Sequence, residues 1–257
     1  GVYYDKTTDR SMTSIYAATV IPYHGAWLEY ETDANNTFYV RIDKNRKLPI
    51  TWFLKAMGKY DETKPETWLS CTPDPIVGAT TNERLKEIFG DDERIAVTID
   101  KDTTTSRDEC LMEIYRKLRP GDPPTVESAE SLLDGLFFDR RRYDISNVGR
   151  YKFNKKLALR GRINGFTLAM PVADPPTGEI IADAGEVISR DMAEKIDAAG
   201  VVEVWLDVDG KTVKVFSNGM VPLQSMVDID PEELGIKEKV RGIVLKSLME
   251  QNSGDAL

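Results

Sequence analysis

The sequence predicts an α+β fold in which a mixed β-sheet and several helices come before a small β-rich module. Apolar and polar residues alternate over residues 15–21 and 38–42, which is the period of a half-buried strand. Helix-start signals and apolar residues at 3/4 spacing follow between residues 80 and 137. Alternation then returns over residues 166–216, interrupted by turn residues.

The first part of the chain predicts strands joined by turns and then a helix. Turn-forming residues occupy positions 33–36, between two of the alternating stretches. A short buried helix is predicted over residues 47–58, because Pro49 stands near its first turn and Gly58 at its end. Residues 59–77 contain three prolines and are predicted to be a connector.

Three more helices are predicted from N-capping residues, whose side chains accept hydrogen bonds from free N–H groups of the first turn. Ser106 and Glu109 have the spacing of a capping box. The predicted helices run from Thr80 or Thr81 to Phe89, from Ser106 to Arg119, and from Thr125 to Leu136.

The loop between the last two helices is rich in proline, which fixes φ and removes hydrogen-bond donors. Arg119 and Asp122 are therefore held in a narrow set of directions. Two interpretations stay open: a rigid recognition loop, or a loop that only ends one helix before the next begins.

The later part of the chain predicts a separate module. Residues 166–225 are assigned to a small β-rich inserted module with a helix near residues 189–199, and residues 1–165 with 226–257 to the main domain. A helical tail is predicted from Pro231, with one apolar face formed by Val240, Ile243, Val244 and Leu248.

Charge is unevenly distributed over the 257 residues, whose formal net charge is −9. Residues 171–257 hold 17 acids and 8 bases, so the remainder is neutral overall. Within that remainder, residues 139–162 carry nine bases and two acids. Such a basic segment is typical of polyanion binding, and a solvated helix face is the other interpretation. The basic residues are Arg140, Arg141, Arg142, Arg150, Lys152, Lys155, Lys156, Arg160 and Arg162.

Composition also excludes several classes of protein. There is no apolar run of membrane-spanning length and no secretory signal pattern at the start, so a cytoplasmic location is expected. Cys71, Cys110 and His24 are too few for a four-ligand zinc site. His24 is expected to be structural or solvated, and both cysteines to be inert. Phosphate-binding glycine loops are missing, so nothing indicates an autonomous enzyme.

The remaining polar and aromatic candidates suit single-stranded nucleic acid. An indole such as that of Trp27 can stack on an unpaired base. Arginine and lysine neutralise phosphates, and a carboxylate accepts hydrogen bonds from an unpaired guanine. Each candidate also has a structural interpretation: Trp27 as a core residue, and residues 43–47 as a charged turn.

Four motifs together resemble the lobe region of the bacterial RNA polymerase β subunit. They are PYHGAWLE at residues 22–29, VRIDKNRKLP at 40–49, EIYRKLRPGDPPT at 113–125 and RYDISNVGRYKFN at 142–154. They occur in the family's order and cover residues 1 to about 160. The later stretch DPPTGEIIA at 174–182 is similar to the small β modules inserted in this region of such subunits. A full β subunit is several times longer, so the chain would be one fragment of it.

The resemblance implies roles for individual residues. Trp27 would stack on a base of the non-template strand, and Asp43 and Arg119 would help to line a pocket for an unpaired guanine. Lys44 stands where the family often has arginine; it keeps the charge without a bidentate contact. Asp122 and Arg142 match positions close to the single strand. The implied gate loop consists of Arg119, Pro120, Gly121, Asp122, Pro123, Pro124 and Thr125.

The resemblance also implies a setting for the chain. The lobe lines the DNA cleft of a DNA-directed RNA polymerase, a nucleotidyltransferase, but is not itself catalytic. No cofactor is expected in this fragment, because the catalytic Mg²⁺ is held by the β′ subunit. Implied partners are promoter and downstream DNA, the β′, α and σ subunits, and the elongation factor NusG at the gate loop. The location would be cytoplasmic and nucleoid-associated.

Two other classes of function remain as alternatives. The acidic last third could belong to a free-standing adaptor that binds a basic protein partner. A carboxylate-dependent hydrolase would need a metal site or an acid/base pair, and the sequence pattern indicates neither.

Overall fold

A computed structural model describes residues 2–8, 12–58, 79–90, 92–175 and 177–227, together with 235, 236, 238–242, 244, 245, 248 and 249. Within these ranges, the residues up to Phe153 form one compact unit and those from Asn154 onward form a second. Both units contain helices and antiparallel strands. The predicted α+β class is confirmed.

The first unit contains an antiparallel sheet whose strands follow one another in chain order from β1 to β5. The apolar side chains of Val40 and Ile42 are buried, as the alternation over residues 38–42 predicts, and Leu28 and Leu48 are buried as well. The two predicted strands are confirmed. The strands are β1 (Val2–Thr8), β2 (Ser14–Val20), β3 (Leu28–Thr32), β4 (Phe38–Ile42) and β5 (Leu48–Pro49).

Three helices of this unit begin at the predicted capping residues. Thr81, Ser106 and Thr125 each accept a hydrogen bond from a backbone N–H of the following first turn. The sequence pattern missed α3, whose N-cap Asp92 accepts from two backbone N–H groups. The helices are α1 (Ile50–Met57), α2 (Asn82–Phe89), α3 (Glu93–Lys101), α4 (Arg107–Leu118), α5 (Val126–Phe137) and α6 (Asn147–Leu157), which runs into the second unit.

A buried ion pair joins the helices of the first unit. Lys55 on α1 is fully buried, and its Nζ lies 2.9 Å from Asp102 Oδ2 at the end of α3. The ammonium also donates to Asn82 Oδ1 on α2 and to both oxygens of Thr104, at 2.8–2.9 Å. Burial opposes ionisation of Asp102, but hydrogen bonds from Thr104 and the neighbouring ammonium of Lys55 outweigh it and lower the pKa of the carboxyl. The carboxyl of Asp102 is therefore ionised at neutral pH.

The second unit has a core of its own. Helix α8 packs with strands of a three-stranded antiparallel sheet in the order β10–β9–β6, and Leu206, Ile188 and Ile196 are buried among them. Leu159 and Ile163, just before and at the end of the short helix α7 (Arg160–Ile163), belong to the same core. The elements are α7 (Arg160–Ile163), β6 (Thr167–Leu168), β7 (Val172–Ala173), β8 (Ile180–Ala182), α8 (Arg190–Ala198), β9 (Glu203–Val208), β10 (Lys211–Phe216), β11 (Met220–Val221) and β12 (Val240–Arg241).

One predicted element is wrong at its start. Val240 was expected on a helical face, but it pairs with Val221 as part of β12. The partner strand supplies backbone hydrogen bonds that a local apolar pattern does not reveal. Val244 and Leu248 are helical, while Pro231, Ile243, Cys71 and the connector 59–77 lie outside the described residues. The domain division at residues 165/166 and 225/226 stays a prediction.

The buried ion pair predicts a large effect of Lys55→Met on stability. The change leaves Asp102 buried without its cation, which costs about 3–5 kcal/mol. We expect urea denaturation to show a loss of free energy of unfolding in this range. Lys152→Met, at an exposed lysine of α6, is the control and should change it by less than about 1 kcal/mol. Equal effects of the two variants would contradict the interpretation.

The same cluster predicts an unreactive thiol. Cys110 is fully buried, and burial raises the pKa of its thiol, so little thiolate forms near pH 8. In a Cys71→Ser variant, a thiol reagent should modify Cys110 only after urea is added. Rapid stoichiometric modification of the folded protein would contradict this.

Candidate nucleic-acid interface

The hairpin of β3 and β4 places Trp27 beside Asp43. Leu28 pairs with Ile42 at the end of the β3–β4 ladder. Beyond this pair, the Asp43 N–H donates a hydrogen bond of 2.9 Å to the Trp27 carbonyl. Trp27 and Asp43, which are 16 positions apart in the sequence, therefore meet at the ends of strands β3 and β4.

The turn after β4 has an uncommon backbone conformation. Asp43 and Lys44 both have positive φ, at 50° and 64°, a region that non-glycine residues occupy at a cost. Asn45 closes the turn by donating from its backbone N–H and its side-chain amide to the Ile42 carbonyl, at 3.1 and 2.8 Å. All five side chains from 43 to 47 are exposed. A strained, exposed turn of charged residues is typical of a functional site.

Trp27 is half-buried. Its exposure is therefore intermediate between that of a core residue and that of a fully exposed stacking residue. Its neighbours Ala26 and Leu28 are buried, so the indole is anchored at its base. Lys44 Nζ lies 5.5 Å from the centre of the indole ring, within cation–π range. The Lys44 ammonium and the Trp27 ring therefore lie together at this site.

A second connection brings Arg142 towards the same loop. His24 and Asp144 form an isolated β-bridge, with backbone hydrogen bonds of 2.9 and 3.2 Å between them. The Arg142 side chain is 73% exposed, and its Nε lies 3.5 Å from Asp139, a surface pair worth little. The guanidinium is therefore available to an anion.

The predicted gate loop is a separate exposed feature. Arg119 ends α4, its N–H donating to the Tyr115 carbonyl, and its own carbonyl accepts from the Asp122 N–H. Residues 119–123 and Thr125 are exposed, and Pro124 is half-buried. The hydrogen bonds described for Arg119 and Asp122 stay within α4 and the loop, and none joins them to Trp27 or Asp43.

The basic segment does not form one uniform surface. Arg162 is half-buried and donates to the carbonyls of Leu157 and Phe216, which gives it a structural role. Arg150 binds the Ile145 carbonyl at 2.9 Å and Asp144 at 3.4 Å. The exposed bases are Arg140, Arg141, Arg142, Arg150, Lys152, Lys155 and Arg160. Most bases of the segment are thus exposed, while Arg162 is bound to carbonyls within the fold.

Among the described residues, no group of three or more His, Cys, Asp and Glu side chains is placed to hold a metal ion. None of the helices formed by these described residues combines the length and the apolar character that crossing a bilayer requires.

Comparison with known proteins decides the family. The model of the family RNA polymerase Rpb2, domain 2, matches residues 1–64 and 91–168, more than half of the chain. The chain belongs to this family. It is also similar over nearly its whole length to proteins named DNA-directed RNA polymerase subunit beta. The identity is 49% over 254 residues for Acetivibrio thermocellus, covering 99% of the chain, and 48% over 250 residues for Clostridium botulinum strain Okra, covering 97%.

The Rpb2 domain 2 chain is much shorter than these relatives. It spans 19% of the length of each, so it corresponds to about a fifth of such a subunit. The matched ranges include the Trp27 loop, the Asp43 turn and the gate loop.

The sequence pattern missed the residues that hold the Trp27 loop in place. Tyr143 and Asp144 lie within the motifs quoted above but received no role. Gly25 was the available signal, since a glycine beside a turn residue suggests positive φ. Its partner Tyr143 is 118 positions away and could not be paired with it from a single sequence.

The strained turn predicts that Lys44→Gly stabilises this domain. Glycine adopts positive φ without steric cost, so we expect the free energy of unfolding to rise by about 0.5–1 kcal/mol. Lys44→Ala removes the same charge and keeps the steric cost, and it should not stabilise. Thermal and urea denaturation of both variants check this; equal values for glycine and alanine would contradict it.

Proposed function

We propose that the chain is the lobe of a bacterial RNA polymerase β subunit, lining the DNA cleft and contacting downstream DNA and the non-template single strand. The observation that carries the proposal is the hydrogen-bonded junction of Trp27 with the Asp43–Lys44 turn. It places a partly exposed indole, a carboxylate and an ammonium at one edge of a sheet. Family membership supplies the setting.

Trp27 is proposed to stack on an unpaired base. Stacking on an aromatic side chain contributes about 1–3 kcal/mol per base and needs little sequence preference. The buried neighbours on both sides of Trp27 limit the ordering that the indole would undergo on binding. Lys44 lies over the same ring, so an incoming base would either displace it or leave it free to contact a phosphate.

Asp43 is proposed to add base preference. A carboxylate accepts hydrogen bonds from the ring N–H and amino group of guanine, which no other unpaired base presents together. Arg142 and Lys44 are proposed to neutralise phosphates. Arg119 and Asp122 would act from the gate loop, on the strand or on an elongation factor such as NusG.

The chain is proposed to act without catalysis of its own. The reaction would be that of the whole nucleotidyltransferase, with the β′, α and σ subunits, in the bacterial cytoplasm at the nucleoid, and with Mg²⁺ held by another subunit. The family match favours this role over the free-standing acidic adaptor, because in the relatives the region similar to this chain is part of a longer subunit.

Substitution of Trp27 in the full-length β subunit tests the proposal. In reconstituted polymerase, Trp27→Ala should shorten the half-life of promoter open complexes by about tenfold, as expected for loss of one stacking contact. Trp27→Phe should retain much of the lifetime. Asp43→Asn should reduce the advantage of templates with a non-template guanine over those with adenine at the same position.

Tyr3→Ala is the matched control, since Tyr3 is an exposed aromatic on β1, 57% accessible. It should leave open-complex lifetime unchanged. If Trp27→Ala behaves like this control on every template, the stacking role is wrong.

A further inference from the structure

The loop that leads into Trp27 has no regular secondary structure, yet its backbone is bonded to a distant segment. The N–H groups of Tyr23 and His24 donate to the Asp144 carbonyl at 2.8 and 3.2 Å. In return, the Asp144 N–H donates to the His24 carbonyl at 2.9 Å. The loop is therefore attached at one point, three residues before Trp27.

Gly25 fits this attachment because it has no side chain. A Cβ there would lie 2.7 Å from Cδ2 of the Tyr143 ring and 2.8 Å from the Arg142 carbonyl oxygen, and φ is +120°. Distances this short require the ring or the backbone to move. Tyr143 thus packs directly on the backbone between His24 and Ala26.

Tyr143 is itself fixed by the helices. Its ring meets that of Phe137 edge-on, with centroids 5.9 Å apart, and Phe137 meets Phe53 of α1 in the same way at 5.9 Å. Its N–H donates to the Asp139 carbonyl, just after α5. Burial raises the pKa of the Tyr143 phenol, consistent with a ring held within the fold.

We propose that Tyr143 is a positioning residue for strand binding: its ring clamps the backbone at Gly25, and so holds Trp27 in a fixed position next to the segment that carries Arg142. This inference rests on the proposed stacking role of Trp27. The physical reason is that a loop ordered before binding loses less entropy when a base stacks on it. If the Tyr143 ring no longer packs on Gly25, the indole of Trp27 is still present but is not held in place before binding.

The test uses reconstituted polymerase with full-length β subunit and a promoter carrying 2-aminopurine in the unpaired non-template strand. Open-complex lifetime and 2-aminopurine fluorescence, which stacking quenches, are measured for Tyr143→Ala, Tyr143→Phe, Trp27→Ala and the double variant Tyr143→Ala/Trp27→Ala. Gly25→Ala, which closes the space that the ring occupies, is the second route to the same loosening.

Positioning predicts a specific pattern. Tyr143→Ala and Gly25→Ala should each shorten the lifetime by about tenfold, the size expected for a lost stacking contact, and raise the fluorescence towards the Trp27→Ala value. The double variant should be no worse than Trp27→Ala alone, because residues acting through one contact are not additive. Tyr143→Phe keeps the ring and should restore both readouts.

A control separates positioning from general loss of stability. Ile99→Ala removes a buried side chain of α3 and should destabilise the unit without raising the fluorescence. The proposal is overturned if Tyr143→Ala adds its full effect to that of Trp27→Ala, or if it behaves like Ile99→Ala. It is also overturned if Trp27→Ala itself has no effect, and in that case the proposed function fails with it.

Discussion

The first unit depends on one buried charge. Lys55 contacts Asp102, Asn82 and Thr104, and thereby connects α1 with the ends of α2 and α3 and with the turn before α4. A buried cation is tolerated only where its partners surround it, so the helices have little freedom to shift. Trp52, also on α1, donates its indole N–H to Asp102 at 2.9 Å, which adds a second contact between the same elements.

The candidate interface is attached to this frame at two points. The Asp43 turn leads into β5, which continues directly into α1 and so into the Lys55 cluster. The Trp27 loop is joined to the segment after α5 through Tyr143 and the His24–Asp144 bridge. The exposed groups are thus carried by short loops, while their backbones are fixed by the core. This arrangement is typical of recognition sites, which need exposed side chains on a rigid support.

Local strain and exposed charge coincide at the turn of Asp43 and Lys44. Positive φ at Asp43 and Lys44 costs stability, and Lys44 lies on an aromatic ring rather than on a carboxylate. Elsewhere, bases of the neighbouring segment are used internally, as Arg162 is on two carbonyls. Net basic composition therefore does not by itself tell which cations are available to a ligand, because carbonyl contacts do not appear in a count of charges.

The sequence by itself determined the local elements and the family. Strand alternation predicted β2 and β4, and capping residues predicted the starts of α2, α4 and α5, because these signals act over a few neighbouring residues. The tertiary structure alone decided which distant groups meet: Lys55 with Asp102, Gly25 with Tyr143, and Val240 with Val221 in a strand where a helix was expected. Such pairs depend on packing between elements far apart in the chain, and no local pattern encodes which surfaces come together.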